Sequence, residues 1–179
     1  MSSTFDPTRA VQFDLDRGRI LVAGSDARLL VPAEALARLC AGTASDAVKD
    51  FGRGLGTEMG RRVMGRLGNN GSISAMIEHL GGELALAGFG SLGLEVWGRA
   101  LVLTVTDSPL GENGDTLLAA VLEGALQRAL GRDAAVVRIE RSNGRARLAV
   151  LRPSTAESVR RWLVEGASWG DVLTRLSSA

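Results

Sequence analysis

The chain has 179 residues, 45% of them hydrophobic and 23% charged, an ordinary composition for one folded domain that buries roughly 70% of its unfolded surface. Its net charge of +1 gives no basic footprint for nucleic acid or an anionic membrane surface. A single cysteine, Cys40, and a single histidine, His79, exclude an intramolecular disulfide and any Cys-rich or His-rich metal site.

Residues 1–10 are polar and read as a flexible lead-in, with no basic-then-apolar leader pattern. No apolar run approaches the roughly 18 residues that a membrane span needs. A soluble, cytoplasmic protein is therefore expected. Val11, Phe13 and Leu15 alternate with polar residues, Asp16-Arg17-Gly18 turns the chain, and Ile20 and Val22 follow. That pattern predicts a small hairpin. Pro32 suits a first helical turn, and Leu36, Leu39 and Cys40 continue a short helix that Gly42 ends. Cys40 falls on its apolar face, which suits a buried, inert thiol.

A longer helix follows, with Ser45 or Asp46 as cap and a stripe of Val48, Phe51, Leu55, Met59, Val63 and Leu67. Beside the stripe, Gly52, Gly56 and Gly60 recur every four residues. Each glycine costs about 1 kcal/mol relative to alanine in a helix, so something must pack closely there. A neighbouring helix, a self-association interface or an apolar cavity would each satisfy that spacing. Arg53, Arg61, Arg62 and Arg66 project from the same helix as a solvated face or an acidic-partner patch. Gly68 to Gly71 reads as a loop, and Ser72 caps a third helix carrying Ile73, Met76, Ile77, Leu80 and Leu84. His79 lies off its apolar stripe.

Gly88, Gly90 and Gly93 match a dinucleotide-binding spacing literally. A helix precedes them and a strand follows, the reverse of what a pyrophosphate site needs. They read as a helix-to-strand connection. Leu94–Trp97 and Leu101–Thr106 form strands around a Gly98-Arg99 turn. Asp115 caps a helix over Thr116–Leu130 with Gly131 as its stop, and a second hairpin turns at Asn143-Gly144. Ser154 and Ser168 then cap two further helices. Asp107, Ser108 and His79 make no hydrolase triad, because no nucleophile elbow surrounds the serine. No catalytic residue, metal or cofactor is expected. Hairpins rather than crossovers imply an α+β domain, an antiparallel sheet with a layer of helices against one face.

From Val31 to Arg152 the chain resembles the superfamily that joins bacterial 4-vinyl reductase domains to the core subunits of the TRAPP vesicle-tethering complex. The residues that carry the likeness are Val31–Cys40, Phe51–Gly56, Leu101–Leu110 and Val121–Leu126, in the family's order. Two features depart from it. No cysteine follows Cys40 to build a C-terminal zinc site, and Ser72-Ile73-Ser74-Ala75 stands where acylated members carry a cysteine. The resemblance implies a domain over 11–152 with a helical extension over 153–179. It also implies a non-enzymatic homodimer, or a heterodimer with a related subunit, that holds a hydrophobic small molecule such as an acyl chain, an aromatic compound or a tetrapyrrole. Phe51, Leu55 and Met59 would line one wall of the pocket and Ile77, Leu84, Leu117 and Val121 the other, with Gly52, Gly56, Gly60 and Gly124 at the interface. The alternative is a protein-interaction scaffold whose pocket is filled, serving a small GTPase or a bacterial assembly. A tetrapyrrole enzyme is implied by the family's name alone.

Overall fold

Glycine spacing along one helix determines how the layers of this protein stack. The computed structural model describes residues 11–22, 26–68, 72–98 and 100–177. The lead-in, the loop residues 69–71 and Arg99 of the expected turn lie outside the described residues.

Strands β1 (Val11–Asp14), β2 (Arg19–Val22) and β3 (Asp26–Arg28) form a small antiparallel sheet in that order. The first two are the expected hairpin, and the third strand adds to it. Helices α1 (Ala33–Gly42), α2 (Ser45–Leu67) and α3 (Ile73–Leu86) follow. Strands β4 (Ser91–Trp97) and β5 (Ala100–Thr106) lead through a 3-10 turn (Glu112–Gly114) to α4 (Asp115–Leu130). Strands β6 (Ala135–Ser142) and β7 (Arg145–Leu151) precede α5 (Pro153–Val164) and α6 (Trp169–Ser177). The main sheet is antiparallel throughout, in the order β4-β5-β7-β6. The chain is thus α+β. Among the described residues no helix is long and apolar enough to cross a membrane.

Both faces of the main sheet are covered, where the sequence suggested one. Leu103, Val105, Ala146 and Leu148 face a core shared with α2, α3 and α4. Val102, Val137, Ile139 and Ala149 face Ala156 and Val159 of α5 and Val172 and Leu173 of α6. The two C-terminal helices therefore close a second core, because strand alternation puts Ala100 and Val102 of β5, Val137 and Ile139 of β6, and Ala149 and Leu151 of β7 on that side. Trp169 of α6 meets Trp97 edge-on, 5.5 Å between ring centres, and takes the Arg147 guanidinium 5.1 Å from its own ring. Such contacts add to the burial energy of the helix.

Several terminators behave as the sequence implies. Gly131 ends α4 in the left-handed region, and Asn143 and Gly144 both have positive φ at the β6–β7 turn. Ser72 accepts the Ala75 amide at 3.1 Å. Ser168 and Asp171 cap one another's backbone amides at the start of α6. Other caps differ. Ala44 precedes α2 and Arg152 precedes α5, neither with a side-chain cap. Gly114 precedes α4, which frees the Asp115 carboxylate for another role.

The closest approach in the fold is between α2 and α4. A Cβ built on Gly56 would lie 1.9 Å from the Val121 carbonyl oxygen, and one on Gly60 would lie 2.5 Å from that of Ala125. Gly52 meets the Ala120 Cβ at 2.7 Å, and Gly124 of α4 meets the Arg53 carbonyl at 2.4 Å. The four glycines expected at an interface between subunits therefore face each other within one chain. Helix backbones this close require small residues at the crossing, as in small-xxx-small pairs.

Glycines that touch and glycines that do not should respond oppositely to substitution. Gly56→Ala should lose about 3 kcal/mol, because the obstacle is backbone and cannot rotate away. Gly54, on the same helix, meets nothing within 4 Å, so Gly54→Ala should gain about 0.5–1 kcal/mol. Urea unfolding of the two variants checks both signs, and equal effects would refute the crossing.

Candidate functional site

The close crossing sets Arg53 of α2 beside Glu123 of α4, 70 positions away in the sequence. Arg53 Nε donates to Glu123 Oε1 at 2.8 Å, and Arg53 Nη1 donates to Asp50 at 3.0 Å. The hydrogen bond to Glu123 is the main reason the Arg53 pKa is raised. The other Glu123 oxygen accepts the Val136 amide at 3.0 Å. Glu123 is buried, and it satisfies a donor on an edge strand that no further strand pairs with.

One helical face along from Glu123, Asp115 is buried as well. It accepts Arg138 Nη1 at 3.1 Å and Arg141 Nε at 2.9 Å. The hydrogen bond from Arg141 to Asp115 is the main reason the Arg141 pKa is raised. Residues three apart in a regular strand point to opposite faces. Here a register shift between Arg138 and Glu140 inserts Ile139 as an extra residue. That bulge turns Arg141 back to the α4 side, so both guanidiniums reach one carboxylate.

Between these two ion pairs lies a cavity of about 240 Å³. Ala119 and Ala120 of α4 and Val136 and Val137 of β6 supply apolar wall, and Thr116 lies near the first turn of α4. Lys49, Arg53, Glu112, Asp115, Glu123, Arg138 and Arg160 add charge. An apolar floor with a few convergent polar groups is the usual make-up of a small-molecule seat.

The residues expected to line an apolar pocket are elsewhere. Met59, Ile77, Leu84, Leu117 and Val121 are buried within the main core, with Leu84, Leu117 and Val121 at 0% exposure. Leu55 packs half-buried against them, and Phe51 is 53% exposed. None of the seven lines the cavity. The close α2–α4 crossing leaves their side chains filling the space that a ligand would need.

The remaining motifs resolve as follows. Gly88 and Gly90 have φ of +73° and +106° and join α3 to β4 as a helix-to-strand connection. They border an open groove shared with Glu78, Asp107 and Pro109. His79 is half-buried on α3. Cys40 is half-buried against the core, and burial raises its thiol pKa. Arg61 pairs with Glu58. Arg62 and Arg66 are not a purely solvated face: both pair with Glu83 of α3, whose side chain is 1% exposed. Among the described residues no group of three His, Cys, Asp or Glu side chains is placed to hold a metal ion.

Asp115, Glu123, Arg138 and Arg160 are not picked out as cavity residues by the sequence, where Asp115 reads as a helix cap. The available signal was in α4, where Asp115 and Glu123 stand eight apart on a helix otherwise apolar nearly all round. Such a pair lies on one face and, when buried, requires partners.

No family model matches the chain, and no curated protein matches it. Among solved structures it is similar to the phenol-responsive sensory domain of the transcription activator PoxR, crystallised with phenol. The TM-score is 0.69 at 13% identity, covering 88% of this chain and 92% of that one. The two share a fold.

Removing the acid of a buried pair should cost far more than removing its exposed partner. Asp115→Ala leaves Arg141 buried without a counter-charge and should lose about 3 kcal/mol. Arg138, whose side chain is 48% exposed, should lose under about 1 kcal/mol on change to Ala. Chemical denaturation of both variants gives the comparison, and equal losses would show that Asp115 is not a shared anchor.

Proposed function

We propose that this chain is a small-molecule-binding domain that recognises its ligand without converting it, and that the ligand sits between α2, α4, β6 and α5. The observation that carries this reading is the cavity with the Ala119, Ala120, Val136 and Val137 wall and a charged rim. The shared fold with a phenol-responsive sensory domain supports it. Membership of the 4-vinyl reductase and TRAPP superfamily belongs to the same proposal, supported by the order of helices and hairpins. Binding rather than catalysis fits the buried acids. Asp115 and Glu123 already accept guanidinium or backbone donors on both oxygens, so their oxygens are taken up by structural partners. The seat differs from the helix-lined pocket implied by the resemblance, because that space holds packed side chains.

Thr116 is exposed at the cavity, so Thr116→Trp should fill the seat without disturbing the core. A panel of small aromatic and short-chain compounds should raise the melting temperature of the parent protein through binding to the folded state. The same compounds should leave Thr116→Trp unmoved. Equal stabilisation of both proteins would place the binding elsewhere.

A second reading, the protein-interaction scaffold, is favoured by a separate observation. The interior is filled, while Leu29, Leu30, Val31, Leu39 and Phe51 are all more than half exposed. Exposed apolar surface of this kind is suited to a partner chain. The dimer implied by the resemblance belongs to this reading. In sedimentation velocity, Leu39→Asp combined with Phe51→Asp should turn a dimer into a monomer with unchanged thermal unfolding. A parent protein already monomeric at high concentration rules out the homodimer.

A further inference from the structure

We infer that the cavity between α2, α4, β6 and α5 recognises a small organic anion of the carboxylate class, its charged group held by the rim arginines and its hydrocarbon body by the alanine and valine wall. This deepens the small-molecule reading and rests on it. Four lining side chains are cationic (Lys49, Arg53, Arg138 and Arg160) and three are acidic (Glu112, Asp115 and Glu123). Two of the three acids are already engaged. Asp115 is held by Arg138 and Arg141, and Glu123 by Arg53 and the Val136 amide.

The cations keep capacity. A guanidinium carries five N–H donors. Arg138 uses Nη1 on Asp115, and Arg53 uses Nε on Glu123 and Nη1 on Asp50. The remaining N–H groups of both make no hydrogen bond among the described residues. The Arg160 side chain, on exposed α5 surface, makes no hydrogen bond or ion pair among the described residues. Lys49 already donates to Asp46, and Glu112 is the one lining acid not engaged, so a neutral ligand would leave the spare N–H groups of Arg53, Arg138 and Arg160 without an ionic partner. A carboxylate supplies two oxygens in the planar geometry that a guanidinium fork accepts. The wall of Ala119, Ala120, Val136 and Val137 offers no partner to a second charge. The fitting ligand is therefore charged at one end and apolar at the other.

The test uses the full chain with 13C-labelled alanine and valine methyls, titrated with benzoate, benzamide, hexanoate and hexanamide. The acids should shift the methyls of Ala119, Ala120, Val136 and Val137, and the isosteric amides should shift them far less. Added salt should weaken acid binding, since the rim is partly exposed. Arg160→Gln, a surface change that leaves the core alone, should weaken benzoate roughly tenfold and leave benzamide unaffected. If the amides match the acids, the anion inference is overturned while the seat itself stands. The inference also fails if benzoate affinity is unchanged in both Arg160→Gln and Lys49→Gln. If none of the four compounds shifts these methyls, the seat and the anion inference fall together.

Discussion

The contact between α2 and α4 is the constraint on which the other packing depends. Gly52, Gly56 and Gly60 on one helix and Gly124 on the other remove the side chains that would hold two backbones apart. Each glycine weakens its own helix by about 1 kcal/mol, and close packing offsets that cost. The approach fixes the depth at which α2 sits over α4. It also sends Met59 and Val63 into the core beside Leu117, Val121 and Leu122. Leucine, valine, methionine and alanine side chains then fill the interior.

Charge is placed where the layers diverge. Beyond the glycine crossing, α4 runs beside the β6 edge, and two buried acids bridge the gap. Glu123 ties α2 to α4 through Arg53 and ties α4 to the sheet through the Val136 amide. Asp115 ties the other end of α4 to β6 through two arginines that a bulge turns to one side. A buried acid without such partners would be strongly destabilising. The same ties keep α4 and the sheet edge from collapsing onto each other, and the cavity is the space that remains. Its chemistry follows from its construction, with small apolar residues on the wall and guanidiniums on the rim.

Features set by neighbouring residues were legible in the sequence. The Asn143-Gly144 turn, the Gly131 stop and the caps at Ser72 and Ser168 each depend on a few adjacent positions. The close approach signalled by Gly52, Gly56 and Gly60 was legible too, but its partner was not, because spacing alone does not say which helix arrives. The partners of Arg53, Arg62 and Arg66 lie 17 to 70 residues away, at Glu123 and Glu83, and helical projection alone made them look solvated. The stripe from Phe51 to Met59 resembled a pocket wall for the same reason that it resembles a core. Apolar periodicity identifies a buried face without saying whether the neighbour is a ligand or a leucine. The cavity itself has no local signature, since its lining comes from four elements and the 3-10 turn before α4.

The fold is shared with a domain that responds to phenol, yet the cavity in this chain is lined by charge as well as hydrocarbon. A crystal structure of the protein grown with benzoate would locate the ligand. The carboxylate is expected against Arg160 and Arg138, with the ring over Ala119 and Ala120. Benzoate found in the interior among Leu84, Leu117 and Val121, or an empty cavity at saturating benzoate, would contradict it.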